Sequence, residues 1–255
     1  MPVNEDDGLL AQIDRTRLPA HVAVIMDGNG RWAKGRGFRD RIRGHERGID
    51  AVRETVTACA ELHLTALTLY SFSKENWSRP KREVQALMSL LEKFLIDERP
   101  TLMKNRVRLV ASGDLDDLPV RPRATLDETI ALTAGNDGMV LNLALSYGGR
   151  QEITAAARQL AEKAKAGEIQ PDAIDENLFA QHLHHPELPH PDLMIRTSGE
   201  MRISNFLLWQ LAYAELVVTP VLWPDFRRDD LHRALVEYQK RERRFGGVGS
   251  AVDPA

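Results

Sequence analysis

Six short apolar runs, separated by stretches of helical period, constrain this 255-residue chain more than any other feature of it. They are His21-Val-Ala-Val-Ile-Met26, Leu64–Tyr70, Val107–Ala111, Met139–Ala144, Asp192–Ile195 and Leu216–Val218. A strand that is apolar at nearly every position is covered on both faces, as in a parallel sheet; one solvated face would produce alternation instead. Of the intervening stretches the clearest carries Leu87, Leu90, Leu91, Phe94 and Leu95, a stripe at helical spacing with Pro80 suited to the first turn. Strand and helix in alternation predict an α/β fold: a single domain with a mostly parallel, open sheet flanked by helices and right-handed crossovers. The expected boundaries are an N-terminal extension over 1–17, the domain over 18–247 and a flexible tail over 248–255, where Gly and small residues dominate.

The most apolar stretch, Phe206 to Trp223, is interrupted by Gln210, Glu215 and Pro220. A membrane-spanning helix needs about 20 mostly apolar residues, so this stretch reads as a buried helix followed by a strand. A formal net charge of −3 gives no global field to attract nucleic acid. Arginine is nonetheless clustered, at Arg36, Arg39, Arg41, Arg43 and Arg47 and again at Arg241, Arg243 and Arg244. The lone Cys59 excludes an internal disulfide framework and sits in an apolar helical context, where a buried, inert thiol is expected. Met1-Pro-Val-Asn-Glu-Asp-Asp7 is not a basic-then-apolar leader. These features point to a soluble, cytoplasmic protein that would meet lipid only peripherally.

In an open α/β sheet, ligands bind beyond the carboxyl ends of the strands. The first run ends in Asp27-Gly28-Asn29-Gly30-Arg31-Trp32. Its glycines let backbone N–H groups approach an anion, Arg31 adds a guanidinium fork, and a following helix start adds its dipole. Gly28-x-Gly30-x-x-Ala33 also matches the dinucleotide fingerprint formally. That motif expects an acidic ribose partner after the second strand, where this chain has Tyr70-Ser71-Phe72-Ser73. Asp27 would moreover face a pyrophosphate, which is unfavourable without an intervening cation. A divalent metal reverses that sign, so a metal–diphosphate cradle is the better reading. Taken singly, Asp-Gly-Asn-Gly is an ordinary turn, Trp32, Trp77 and Trp209 are ordinary core anchors, and His182, His184, His185 and His190 form a surface loop without metal-ligand spacing.

Taken together, the motifs are more specific. His21–Lys34, Gly44-His45, Leu69–Pro80, Leu143-Ala-Leu-Ser-Tyr147-Gly-Gly-Arg150, Asp192–Gln210, Ala214-Glu215-Leu216 and Leu222-Trp-Pro-Asp-Phe226 occur in one order from about residue 18 to Gly247. This series resembles the cis-prenyltransferase family, the bacterial undecaprenyl diphosphate synthases above all. The resemblance implies a Mg²⁺-dependent condensation of isopentenyl diphosphate with an allylic diphosphate, farnesyl diphosphate being the expected starter. The expected product is a long-chain polyprenyl diphosphate, undecaprenyl diphosphate, for the lipid carrier of cell-wall glycan.

The same resemblance assigns roles. Asp27 is the expected metal ligand and catalytic residue, with Glu215 as a second ligand. Gly28, Asn29, Gly30, Arg31, Arg41 and His45 correspond to the allylic diphosphate site, with Arg39 the alternative to Arg41. Arg196, Arg202, Ile203 and Ser204 correspond to the isopentenyl diphosphate site. Ser73, Glu75, Asn76, Trp77 and Arg79 would occupy a loop facing both substrates, Asn76 orienting proton removal through water or phosphate. Trp32 and Trp77 would offer their faces to the allylic chain, and the Leu87–Leu95 stripe would line an apolar tunnel. A homodimer is implied, completed by Arg244-Phe245-Gly246. Lys74 stands where relatives carry a small residue. Two rival classes are separable. An all-helical trans-prenyltransferase needs an Asp-Asp-x-x-Asp motif, which Asp116-Asp117 and Asp229-Asp230 do not complete. A non-catalytic supporting subunit would be expected to lose Asp27, Arg31, Asn76 or Arg196, all retained here.

Overall fold

The computed structural model describes residues 5–242. In chain order the helices are α1 (Glu5–Leu10), α2 (Asn29–Gly35), α3 (Ile42–Glu61), α4 (Lys81–Asp97), α5 (Arg99–Lys104), α6 (Val120–Thr133), α7 (Gly149–Lys165), α8 (Glu176–Ala180) and α9 (Arg228–Gln239). The strands are β1 (His21–Ile25), β2 (Ala66–Ser73), β3 (Arg108–Ser112), β4 (Val140–Tyr147), β5 (Leu193–Arg196) and β6 (Glu215–Val218). They form one six-stranded sheet in the order β3-β4-β2-β1-β5-β6, and every pairing is parallel. The α/β expectation is met, strand for strand.

Burial explains the apolar runs. Every residue of β1, β4 and β5 is buried, and Leu67, Leu69, Leu141 and Leu143 join a core with Leu95 and Phe94 of α4 and Leu126 of α6. Across the other face, Ala23, Ile25, Ala144, Tyr147 and Met194 pack with Phe206, Leu207 and Leu211. Cys59 lies wholly inside, and burial pushes its thiol up to about 12, out of reach of thiolate chemistry. The N-terminal extension is docked: Arg17 donates to the Gln239 carbonyl at 2.8 Å, and the Gln239 amide donates to the Asp14 carbonyl at 2.7 Å.

A polar row crosses this buried sheet. Ser112 Oγ donates to Asn142 Oδ1 (3.0 Å), Asn142 Nδ2 donates to Thr68 Oγ1 (3.2 Å), and Thr68 lies 2.8 Å from His21 Nε2. With Nδ1 of His21 donating to the Pro189 carbonyl at 2.6 Å, the neutral ring has both nitrogens satisfied. Burial pushes His21 down to about 4.

Two expectations change. The apolar runs predict strands ending near Tyr70 and Ala144, yet β2 and β4 continue to Ser73 and Tyr147 across register shifts at Tyr70/Phe72 and Phe72/Ser73. Irregularities of this kind cluster beside active sites, where they re-aim side chains. The stretch 206–214, expected as a helix, is a succession of turns. Ser204, Asn205 and Leu207 take positive φ, and Gly149 N–H bonds the Asn205 carbonyl at 2.7 Å, which holds the chain in loops.

Candidate active site

The chain leaves β1 toward β2 on one side of the sheet and later returns to β5 on the other, so β1 is the topological switch point. Asp27 follows β1, Ser73 ends β2 and Arg196 ends β5; all three stand at the carboxyl edge of the sheet. Asp27 is fixed through its backbone: its N–H bonds Thr197 Oγ1 (2.9 Å), the Thr197 hydroxyl bonds its carbonyl (2.6 Å), and Trp223 N–H bonds the same carbonyl (3.0 Å). Its carboxylate accepts Gly28 N–H at 2.6 Å and Arg196 Nη2 at 3.0 Å, with Arg31 Nη2 at 3.7 Å. Gly28 needs φ 109°, a conformation glycine adopts without strain.

Arg196 is only 3% exposed and forks between Asp27, Ser204 Oγ (2.8 Å) and the Arg202 carbonyl. Its Nε has no hydrogen-bond partner, a buried donor that no protein acceptor satisfies. Arg31 bonds the Ser198 carbonyl and hydroxyl at 2.9 and 2.5 Å and pairs with Glu200 at 3.2 Å. Ser198, Ser204 and Asn205 all carry positive φ, strain of about 1–3 kcal/mol each that persists where surrounding contacts over-determine it.

Helix α3 builds the opposite wall. Gly44 lies so close to α2 that a Cβ there would collide with the Asn29 carbonyl, and a Cβ on Gly30 would collide with the Arg41 guanidinium. Arg41 therefore lies across Gly30, while Arg39 borders the same basic hollow. Asn29 Oδ1 and His45 Nε2 are buried without hydrogen-bond partners. Burial first, then the charges of Arg79 and Arg41, push His45 down to about 4, so it faces the cleft as a neutral ring. Arg79 in turn bonds Glu83 at 3.1 Å, and Glu83 stands 3.9 Å from His45.

His21 and His45 titrate near 6.5 in the unfolded chain and near 4 in the native one. The unfolded state therefore binds more protons across that interval. The stability contributed by the neutral rings is complete above pH 6.5 and is lost as pH falls toward 4, at up to about 1.4 kcal/mol per pH unit for each ring. Urea unfolding at a series of pH values is expected to trace this decline, with His45→Gln removing roughly half of it. A pH-independent unfolding energy across the interval would contradict it.

After β2 the chain forms a single 3-10 turn, Lys74–Ser78. Asn76 caps it reciprocally: its Oδ1 accepts Ser73 N–H at 3.1 Å while the Ser73 side chain accepts the Asn76 N–H. With its oxygen so engaged, Asn76 presents its NH₂ as a donor. Glu75 accepts from Asn205 Nδ2 at 2.8 Å.

Three adjoining hollows meet at Asp27. The first, about 1040 Å³ including the solvent at its mouth, runs from Asp27, Asn29, Arg41, His45 and Asn76 to an apolar interior of Leu87, Leu91, Phe94, Leu143 and Leu145. The second is basic, with Arg31, Lys34, Arg39 and Arg41 around Gly28 and Gly30. The third holds Ser73, Glu75, Asn76, Arg79, Arg196 and Ser204. A glycine loop ringed by arginine and lysine thus opens onto an apolar recess on one side and a second arginine-lined pocket on the other.

Comparison with known proteins agrees with this geometry. Residues 25–246 match the protein family described as "Putative undecaprenyl diphosphate synthase". The chain belongs to that family. It is 50% identical to the "Isoprenyl transferase" of Heliobacterium mobile, over 96% of this chain and 94% of that one. It is 51% identical to the "Ditrans,polycis-undecaprenyl-diphosphate synthase ((2E,6E)-farnesyl-diphosphate specific)" of Vibrio cholerae, over 92% and 94%. Among solved structures, lavandulyl diphosphate synthase from Lavandula x intermedia in complex with dimethylallyl diphosphate superposes with a TM-score of 0.86 at 39% identity, covering 90% of this chain and 98% of that one. A "probable undecaprenyl diphosphate synthase" from Campylobacter jejuni gives 0.74 at 34% identity, covering 89% and 98%. This chain is a prenyltransferase.

Within this prenyltransferase several expected site residues stand elsewhere. Trp32 lines none of the hollows: its indole N–H bonds Asp225 at 2.8 Å, and its ring lies under Arg36 and against Phe38. Trp77 is likewise turned inward, bonding Ser146 Oγ at 2.9 Å and meeting Phe72 edge-on. In both, the indole N–H found a partner inside the protein and took the ring with it. Glu215 opens β6, level with Leu193 and three residues back from the Arg196 level, about 10 Å along the strands. There it pairs with Arg241 at 3.0 Å, so Asp27 and Glu215 form no two-carboxylate site within one chain. Arg202 touches the site through its carbonyl, while its guanidinium pairs with Glu200 on the rim. Ile203 packs under the turns near Phe206. Trp209 is half-buried and packs on Phe179. Arg244-Phe245-Gly246 lies outside the described residues. Sequence reasoning missed Glu83, Thr197, Ser198 and Trp223. The four-residue spacing of Arg79 and Glu83 was a usable signal; the others act through contacts with residues far away in the chain, which no spacing announces.

Proposed function

We propose that this prenyltransferase condenses isopentenyl diphosphate with farnesyl diphosphate, repeatedly and with Mg²⁺, to a long-chain product, undecaprenyl diphosphate. The observation that carries this reading is the shared carboxylate: Asp27 borders an apolar recess and two separate cationic pockets. Two diphosphates and one hydrocarbon chain match those three surfaces in charge and polarity. The name of the Vibrio cholerae relative and the ligand of the lavender structure support the same substrate class.

Among the described residues there is no cluster of three or more His, Cys, Asp or Glu groups that could cage a metal. Mg²⁺ needs none: it keeps several waters and is held by one or two carboxylates together with substrate phosphates. Asp27, 33% exposed, is a hard oxygen donor of that kind. Bound there, the metal would neutralise charge on the departing pyrophosphate.

The residues divide the remaining work. As the allylic C1–O bond breaks, negative charge gathers on the leaving diphosphate, and Arg31, Arg41 and the unpaired first N–H groups of α2 are placed to receive it. Arg196 and Ser204 hold the diphosphate of the incoming isopentenyl unit so that its C4 reaches the allylic C1. The new carbon–carbon bond leaves a cation that loses a C2 proton to form the double bond. The Asn76 NH₂, a donor and no base, orients the phosphate or water that takes this proton. The apolar hollow beside Leu87, Leu91 and Phe94 becomes the tunnel for the growing chain, each five-carbon unit contributing up to about 4 kcal/mol of burial. The working form is a homodimer of a single catalytic domain, residues 18–247, acting in the cytoplasm and touching the membrane at product release, where the product serves as carrier for cell-wall glycan.

Purified protein, farnesyl diphosphate, labelled isopentenyl diphosphate and Mg²⁺ are expected to yield a ladder of polyprenyl diphosphates on chromatography. Removing the metal with EDTA is expected to reduce the rate by about a hundredfold or more, since a Lewis acid supplies several kcal/mol here. Absence of any prenyl product would favour the supporting-subunit role instead.

A further inference from the structure

We propose that Lys74 is a positioning residue: an ionic latch that fastens the Lys74–Ser78 turn, and with it Asn76 and Trp77, to the connection between β3 and α6. The latch is read from geometry; its consequence for turnover rests on the condensation proposed above.

The Lys74 ammonium lies 2.5 Å from Asp114 Oδ2 and 2.6 Å from Asp117 Oδ2. Asp117 Oδ2 also accepts the Ser146 hydroxyl at 2.6 Å, and Ser146 Oγ accepts the Trp77 indole N–H at 2.9 Å. Lys74 and Trp77, three residues apart, are thus joined twice, once through the backbone turn and once through Asp117 and Ser146. The Ser146 carbonyl takes Asp114 N–H at 3.2 Å, so the acidic connection is itself tied to the end of β4. Ser146 is buried at φ 47°, an unfavourable backbone for a residue with a Cβ. That conformation puts its hydroxyl where it serves Trp77 and Asp117 together.

On its far side the turn is held by Glu75, bonded to Asn205. Lys74 supplies the other anchor. Asn76 follows directly after these two anchors, on the shared border of the apolar recess and the Arg196 pocket. Tilting the turn would therefore move the Asn76 amide relative to both substrates, although Lys74 lines none of the three hollows. Lys74, Asp114 and Asp117 are partly exposed, so their pairing is screened by water and salt and its effect is graded, not absolute.

The test is hydrogen–deuterium exchange on the full chain without substrates, comparing wild type, Lys74→Met, Lys74→Arg, Asp117→Asn and the Lys74→Met/Asp117→Asn pair. Lys74→Met keeps the length of the stem and removes the charge. Amides of residues 74–78 are expected to exchange about three- to tenfold faster in Lys74→Met, the range a partly exposed ion-pair network supplies. The strand 140–147 is expected to stay unchanged, which separates a released turn from a loosened fold. Lys74→Arg is expected to restore protection, the double variant to exchange no faster than Lys74→Met, and high salt to shift wild type toward Lys74→Met. In steady-state kinetics Lys74→Met is expected to lower kcat by a similar factor with little change in KM for the allylic diphosphate. Wild-type exchange rates at 74–78 in Lys74→Met, or full additivity in the double variant, would overturn the latch. Because exchange is read without substrate, a wild-type protein that makes no prenyl product would sink the condensation reading and leave the latch standing.

Discussion

Asp27→Ala is expected to lower product formation by about a thousandfold or more while far-ultraviolet circular dichroism stays that of the wild type. Among the described residues Asp27 carries the only carboxylate shared by the basic and apolar hollows, and on the proposed reading it holds the cation against a diphosphate on the glycine loop. Its fold-holding bonds, by contrast, run through the backbone to Thr197 and Trp223, and alanine keeps them. Asp27→Asn is a sharper control: it keeps one acceptor oxygen, for Gly28 N–H, puts an NH₂ where the second oxygen accepts from Arg196, and loses the charge. If the side chain acted only as the acceptor for Gly28 N–H, Asn would preserve most of the rate. Turnover by Asp27→Ala within a few-fold of wild type would end the assignment.

Arg196→Lys is expected to raise KM for isopentenyl diphosphate by roughly ten- to a hundredfold, the loss of a charge-assisted hydrogen bond being worth about 1.5–3 kcal/mol. A lysine keeps the charge but cannot bond Asp27, Ser204 and the Arg202 carbonyl from one rigid plane while offering another N–H to phosphate. KM for the allylic diphosphate should change much less, since Arg31 and Arg41 border that pocket and Arg196 does not. Initial rates with each substrate varied in turn distinguish the two. An equal rise in both KM values would mean that Arg196 acts by holding Asp27, not by binding its own diphosphate.

On the proposed reading the two diphosphate substrates share one carboxylate and use different arginines, an arrangement that the strand order permits. Asp27 stands at the switch point between β2 and β5, the place in an open parallel sheet where two connections diverge and leave a crevice. Arg196 reaches it from β5 and Asn76 from the turn after β2, so a ligand lying between them touches both halves of the sheet.

Sequence alone determined the six strands, their parallel sense and the cleft at the first glycine loop. Continuous apolar runs have few other solutions, and a glycine-rich turn after a strand, here followed by Arg31, suits close approach to an anion. It also carried the family, because long motifs in one order fill nearly the whole chain. Tertiary structure decided what depends on partners distant in sequence. The ends of β2 and β4 lie beyond the apolar runs and were added to the sheet by pairing with each other across an irregular register. Trp32 and Trp77 offered rings to a substrate until Asp225 and Ser146 claimed their N–H groups. Glu215 was drawn to the metal by its motif and to Arg241 by its position at the start of an edge strand. Lys74, an unexplained cation in the sequence, acquired a purpose only when Asp114 and Asp117 were brought beside it. Burial pattern is written locally, in the spacing of apolar residues; the direction of a polar side chain is set by whichever partner the fold delivers.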